Sequence, residues 1–214
     1  MESGISSRVA NIAVRYITDN CDDSPEKIFA AFEMLDAGTL KEVLNSTEDQ
    51  QITTNGVPSA KIDDVSVDLL KVVCSEGIVS YKQLGEETAS KYRNDFANEK
   101  YGELRTKTLI GTGVVNYVGG VIPTTLGKFI SNLSKDTQIE ILTMLCLRIP
   151  VIQNTIRASI KEPVRIFDLM PDFTKKTFIR RIPSVRFLIT EICKTSDSID
   201  LLKKIDFNYY GKED

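Results

Sequence analysis

The sequence predicts a mainly α-helical protein with one small β-hairpin. Two observations carry this prediction. Most of the chain shows apolar residues three or four positions apart, the spacing of one helix face, and several of these segments open with capping residues. One stretch, VVNYVGGVIP at 114–123, instead holds two short apolar runs around a Gly-Gly pair, which is typical of a hairpin.

The first part of the chain is expected to be a separate helical unit. Residues 1–47 form this N-terminal helical subdomain, in which SPEKIFAAFEML has Ser24 as a cap and Pro25 at the first helical position. The polar stretch 48–64 contains Asn55-Gly56 and Pro58, and it predicts a linker or an exposed hairpin. We therefore place a domain boundary in this stretch.

Beyond the boundary, helices follow one another in a definite order. The first begins at a capping Asp64 or Ser66 and stops at Gly77, and residues 78–79 make a very short strand. The pair Ser80 and Gln83 predicts a capping box at the start of the second helix.

A turn leads to a third helix at 98–110 and then to the hairpin. Gly119-Gly120 allows the positive φ angles of a two-residue type I′ turn. Pro123 ends the strand pairing because it has no N–H, and Thr124 or Thr125 caps the next helix. Gly127 is expected to let that helix lie close against the sheet.

This ordered set over 65–132 resembles a winged helix-turn-helix domain, here flanked by helical subdomains. The flank on the other side is a C-terminal helical basic segment, 133–214. The resemblance implies that the 98–110 helix lies in the DNA major groove while the hairpin, as the wing, touches the backbone or minor groove.

The helix at 98–110 carries candidate DNA-binding residues. Lys100, Arg105 and Lys107 are candidates for phosphate or guanine contacts, and Thr106 for a hydrogen bond. However, Glu103 lies four residues before Lys107, a spacing that stabilises a solvated helix without any ligand. The wing tip, 118–121, has no Arg or Lys to neutralise phosphates. Taken alone, this domain leaves DNA binding and a packing or protein-contact role equally open.

Charge is distributed unevenly along the 214 residues. Residues 1–64 carry five basic and twelve acidic side chains, whereas residues 141–194 carry ten basic and four acidic ones. The run TKKTFIRRIPSVR at 174–186 has five cations and no acid, which predicts either a solvated helix face or a footprint for phosphates. The candidate backbone-binding residues are Lys175, Lys176, Arg180, Arg181 and Arg186.

Composition excludes much chemistry. The chain has no histidine, which excludes Ser-His-Asp and Cys-His nucleophile pairs, HExxH metalloproteases and Cys2His2 fingers. The four cysteines lack CxxC spacing, so we expect reduced, mostly buried thiols. No phosphate-binding glycine motif is present, and we expect no cofactor and no metal site. The N-terminus lacks the pattern of a signal peptide and no apolar run reaches a membrane span, so we expect a cytoplasmic protein without a membrane partner.

A second, narrower resemblance lies in TLGKFISNLSKDTQIEILTMLCLRIP, which follows the wing. It looks distantly similar to the DNA-recognition modules of type IIS restriction endonucleases, which cut at a PD-(D/E)xK metal centre. Here Pro171-Asp172 is followed by Glu191, with Lys194 three places on, and the surrounding pattern is helical where a strand is required. The resemblance therefore implies a recognition part without its nuclease.

The sequence thus favours non-catalytic binding of double-stranded DNA through a winged helix and a basic C-terminal segment, as part of a restriction or regulatory system. The alternative is a protein–protein interaction or assembly module, in which the winged helix is a packing unit. In that case the acidic front of one molecule docks the basic back of a second copy or of another protein.

Overall fold

The structure, a computed structural model, describes residues 56–92 and 99–211. Of these residues 69% are helical, which confirms the prediction of a mainly α-helical chain. The predicted N-terminal subdomain at 1–47 and the predicted turn before the third helix lie outside the described residues.

The elements follow the predicted order. The helices are α1 (Asp64–Glu76), α2 (Tyr81–Tyr92), α3 (Glu99–Thr112), α4 (Thr125–Ser131), α5 (Lys135–Leu145), α6 (Pro150–Lys161) and α7 (Lys175–Thr195). Short 3-10 helices span Cys146–Arg148, Ile166–Leu169 and Ile199–Lys204. The strands β1 (Val115–Tyr117) and β2 (Val121–Pro123) are antiparallel, whereas β3 (Val164–Arg165) and β4 (Ile205–Asp206) are parallel.

The start of α1 is fixed by Asp63, one residue before the predicted cap. Its carboxylate accepts hydrogen bonds from the backbone N–H groups of Val65 and Ser66, at 3.1 and 3.3 Å. The Ser66 hydroxyl accepts in return from the Asp63 N–H, which completes a capping box. Ser66 is therefore the third residue of the helix and not its cap, and α1 stops before Gly77, as predicted.

The end of the predicted linker is packed against the fold. Val57 and Ile62 are 1% and 3% exposed, and the Thr108 hydroxyl of α3 donates to the Ala60 carbonyl at 3.1 Å. Residues 56–63 are therefore neither a free linker nor an exposed hairpin, because their apolar side chains join the core. The domain boundary itself stays a prediction.

Helices α2 and α3 cross with their backbones in contact. The predicted capping box at the start of α2 is confirmed, since the Ser80 N–H donates to Gln83 at 3.0 Å and the Gln83 N–H to Ser80 at 3.2 Å. At the crossing, a Cβ on Gly102 would overlap the carbonyl oxygen of Tyr81 and lie 2.8 Å from the Gly85 nitrogen. This close approach fixes the position of α3 against α2.

The hairpin differs from the prediction at its turn. Tyr117 pairs with Val121, so residues 118–120 form a three-residue loop, and of these only Gly119 has a positive φ, 67°. The predicted two-residue type I′ turn is wrong, because a three-residue loop needs one left-handed residue and not two. On the other edge of β2, Val79 and Val121 exchange hydrogen bonds of 2.9 and 2.8 Å.

The helix after the hairpin begins as predicted. The Thr124 hydroxyl caps α4 by accepting from the Gly127 N–H at 3.1 Å. A Cβ on Gly127 would overlap the carbonyl oxygen of Val114, just before β1. The prediction that Gly127 allows a close approach of α4 to the sheet is therefore confirmed.

One hydrophobic core runs through the described residues. It includes Leu70 of α1, Leu109 of α3, Phe129 of α4, Leu142 of α5 and Leu188 of α7. Because both halves contribute to it, the C-terminal helices hold the hairpin-bearing half as part of one packed unit.

Within 56–92 and 99–211 no single helix is long and apolar enough to cross a membrane, although one pair bent by 78°, Lys135–Arg148 with Pro150–Lys161, meets the length and composition criteria together.

Among the described cysteines, Cys74, Cys146 and Cys193 are free thiols, and the last two are buried. Burial raises the pKa of Cys146, and it raises the pKa of Cys193 to about 11. Cys21 lies outside the described residues.

Candidate nucleic-acid interface

The outward strip of α3 is a Lys-Glu-Lys ladder. Glu103 binds Lys100 at 2.5 Å and Lys107 at 2.7 Å, because residues three and four positions apart lie on one helix face. The hydrogen bonds from Lys100 and Lys107 lower the pKa of the Glu103 carboxyl. Both lysines were predicted site residues and lie on one side of α3, where Lys100 is 64% exposed and Lys107 is 22% exposed.

Arg105 has a different role from the one predicted. Its Nη1 donates to both carboxylate oxygens of Asp63, at 3.2 and 3.0 Å, and its Nε donates to the Tyr101 hydroxyl at 3.1 Å. Burial lowers the pKa of Arg105, but the charge of Asp63 raises it, and the net shift is upward. The side chain is 17% exposed. Arg105 therefore ties α3 to the start of α1 and does not join the outward strip.

Thr106 also differs from the prediction. The residue is 1% exposed, and its hydroxyl donates to the Gly102 carbonyl at 2.7 Å. It lies one helical turn after Gly102, on the side of α3 that meets α2. Thr106 is therefore a core residue and cannot offer its hydroxyl to a DNA base in this structure.

The predicted basic helix face is on α7. Thr174 caps this helix by accepting from the Thr177 N–H at 3.3 Å, and Lys175 is half-buried in its first turn. Three of the predicted cations are exposed on α7, and no acidic residue precedes Glu191 on the helix; the three are Lys176, Arg180 and Arg186. Arg186 lies over the ring of Phe207, 5.5 Å from its centroid.

Arg181 lies on the inward face of α7. The residue is 7% exposed, between Phe178 and Val185 of the same buried stripe. Burial lowers the pKa of its guanidinium, the charge of Arg180 lowers it further, and the charge of Glu103 acts in the opposite direction. Since Glu103 belongs to α3, its charge acts on Arg181 from a second helix. The predicted placement of Arg181 on the outer surface is wrong, because helical periodicity turns it toward the core.

The hairpin flanks the same region. The ring of Tyr117 on β1 stacks on Tyr81 of α2, with centroids 4.9 Å apart and planes 16° from parallel. Burial, the neighbouring Tyr117 and the charge of Glu103 all raise the pKa of Tyr81. We call the four cations Lys100, Lys107, Lys176 and Arg180 together the α3–α7 face.

No family model, curated protein or solved structure matches the chain.

Two further features of the described residues bear on metal binding and catalysis. Over the described ranges, no group of three or more His, Cys, Asp or Glu side chains is placed to hold a metal ion. Glu191 and Lys194, which resemble part of a nuclease motif, lie in α7 and bind each other at 2.7 Å. The predicted helical pattern at Glu191 and Lys194 is confirmed.

Proposed function

We propose that the protein binds double-stranded DNA without catalysing a reaction, through the α3–α7 face. The observation that carries this proposal is that one packed unit bears cations on two of its helices. Lys100 and Lys107 come from α3, and Lys176 and Arg180 come from a helix about 70 residues further along the chain. A surface that gathers cations from separate elements is the electrostatic footprint of a phosphate backbone.

The arrangement of elements supports a winged helix-turn-helix at 65–132. The chain runs through α1, the bridging residue Val79, α2, α3, β1 and β2, and the strand order is Val79–β2–β1. The backbone contact at Gly102 holds α3 across α2. In this interpretation α3 is the groove-facing helix and the hairpin is the wing.

The cations have different roles in this proposal. Lys100 and Lys107 approach the groove from α3, while Lys176 and Arg180 contact phosphates, with Lys175 and Arg186 at the ends of the contact. Arg105 supports α3 from behind through Asp63. The wing brings Tyr117 and Val118, which are 52% and 67% exposed, and its tip makes apolar contact where other wings use cations.

Charge reversal on α7 tests the proposal. Log affinity falls as log salt concentration rises, and we expect this fall to be less steep by about 2 in the double variant K176E/R180E. The reason is that each lost phosphate contact reduces the magnitude of the slope by about 1. The measurement is fluorescence anisotropy of a labelled duplex titrated with the full chain at several salt concentrations.

The matched control is Lys194→Glu. This lysine is also exposed on α7, but it lies 14 residues beyond Arg180, about 21 Å along the helix axis. It should leave binding unchanged. If the wild-type chain fails to bind duplex at low salt, or if K176E/R180E binds as well as wild type, the proposal is wrong.

A second candidate function is favoured by one observation at the wing. Ile78, Tyr117 and Val118 are 59%, 52% and 67% exposed and lie close together around the hairpin tip. Exposed apolar residues of this kind are typical of protein contacts. In this alternative the chain is an assembly module, and light scattering would show a mass that changes with ionic strength while added duplex has no effect.

A further inference from the structure

Arg181 is a buried cation, and within the part of the chain that the structure describes two of its donor groups have no partner. The residue is 7% exposed, and its Nε and Nη1 groups are buried without a hydrogen-bond partner. Its guanidinium remains protonated in proteins. A buried charge without a partner is unfavourable, so a cation kept at this position needs a complementary anion.

The surroundings of Arg181 suit an oxyanion. The carboxylate of Glu103, whose charge reaches Arg181, already binds Lys100 and Lys107, at 2.5 and 2.7 Å. The adjacent Arg180 adds a second positive charge, and the next residues along the buried stripe, Phe178 and Val185, are apolar. Two guanidinium groups attract an anion. The apolar side chains beside them lower the local dielectric constant, and this strengthens the attraction.

We infer that Arg181 of α7 anchors a phosphate-binding site, with Arg180 beside it. Each of the two unpartnered groups of Arg181, Nε and Nη1, can donate to an anionic oxygen. A phosphodiester of duplex DNA and free inorganic phosphate share this chemistry. That the phosphate belongs to DNA rests on the proposed function, whereas the anion site itself does not.

Inorganic phosphate tests the site directly. We expect the thermal unfolding midpoint of the wild-type chain to be higher in phosphate than in chloride at equal ionic strength. The variant Arg181→Met keeps the length of the side chain but removes the charge, so its midpoint in chloride should rise above that of the wild type and its gain from phosphate should be much smaller.

Lys194→Met is the control for the general effect of phosphate on protein stability. It removes an exposed cation from the same helix and should keep the full gain. The inference is overturned if the wild-type midpoint is equal in phosphate and chloride, or if Arg181→Met keeps the gain of the wild type.

The DNA measurement separates this inference from the proposed function. With labelled duplex, Arg181→Met should reduce the magnitude of the slope of log affinity against log salt concentration by about 1 relative to wild type. If the unfolding midpoint of the wild type is higher in phosphate than in chloride but duplex does not bind, the result would support a site for free phosphate and refute only the proposed function. Duplex binding with the same slope in both proteins, and no gain from phosphate, would refute only the inference.

Discussion

Gly102→Ala is expected to lower the free energy of unfolding by about 2 to 3 kcal/mol. The new Cβ would meet the carbonyl oxygen of Tyr81 and the nitrogen of Gly85, and backbone atoms can move away only if α2 and α3 separate. Alanine favours a helix over glycine by about 1 kcal/mol, which offsets part of this cost. Urea denaturation of the full chain, followed by circular dichroism, measures the difference.

Gly111→Ala is the matched control on the same helix. Its Cβ would lie 2.8 Å from Cγ1 of the buried Ile149, a side chain rather than a backbone, so we expect a loss of about 1 kcal/mol, smaller than that of Gly102→Ala. Both variants carry the same intrinsic helix preference, and their difference isolates the backbone contact. Equal stabilities for the two variants would show that the α2–α3 crossing tolerates a methyl group.

The second large effect is expected at Asp63, which serves two elements at once. Asp63→Ala removes the cap of α1 and the ion partner of Arg105, and we expect a total loss of about 2 to 3 kcal/mol. The cap contributes about 1 kcal/mol of this. The remainder is below the full cost of a broken buried pair, because both side chains keep some contact with water. The same denaturation experiment measures it.

Asp63→Asn separates the two contributions. Asparagine caps helices as well as aspartate does, but it carries no charge for Arg105. Its loss should therefore be smaller than that of Asp63→Ala, by about the value of the cap. If Asp63→Ala stays within about 0.5 kcal/mol of wild type, the link between α1 and α3 does not stabilise the fold.

Local signals in the sequence predicted the fold well where they depend on neighbouring residues. The caps at Ser80 and Thr124, the stop at Gly77 and the close approach at Gly127 all follow from residue types with one conformational or hydrogen-bonding preference. The turn at Gly119-Gly120 was predicted, but its length was wrong, because the register of β1 with β2 decides the loop length, and register depends on packing.

The candidate site was less predictable, because it depends on contacts between distant residues. Nothing local to Arg105 indicates that Asp63, 42 residues earlier, holds it. The burial of Thr106 and Arg181 did leave a signal. Thr106 lies four residues after Gly102, and Arg181 lies between Phe178 and Val185 at helical spacing. Weighting periodicity above charge would have placed both residues inward.

The parallel pairing of β3 with β4 bears on how the α3–α7 face meets a ligand. Val164 pairs with Ile205 and Arg165 with Asp206, so the chain closes on itself immediately before and after the segment that contains α7. The rings of Phe167 and Tyr209 join Phe178 of α7 inside this closure. A helix whose start is packed in this way has little freedom left to lose on binding. Its cations are presented already ordered, and association should proceed without the entropy cost that a flexible basic arm would incur.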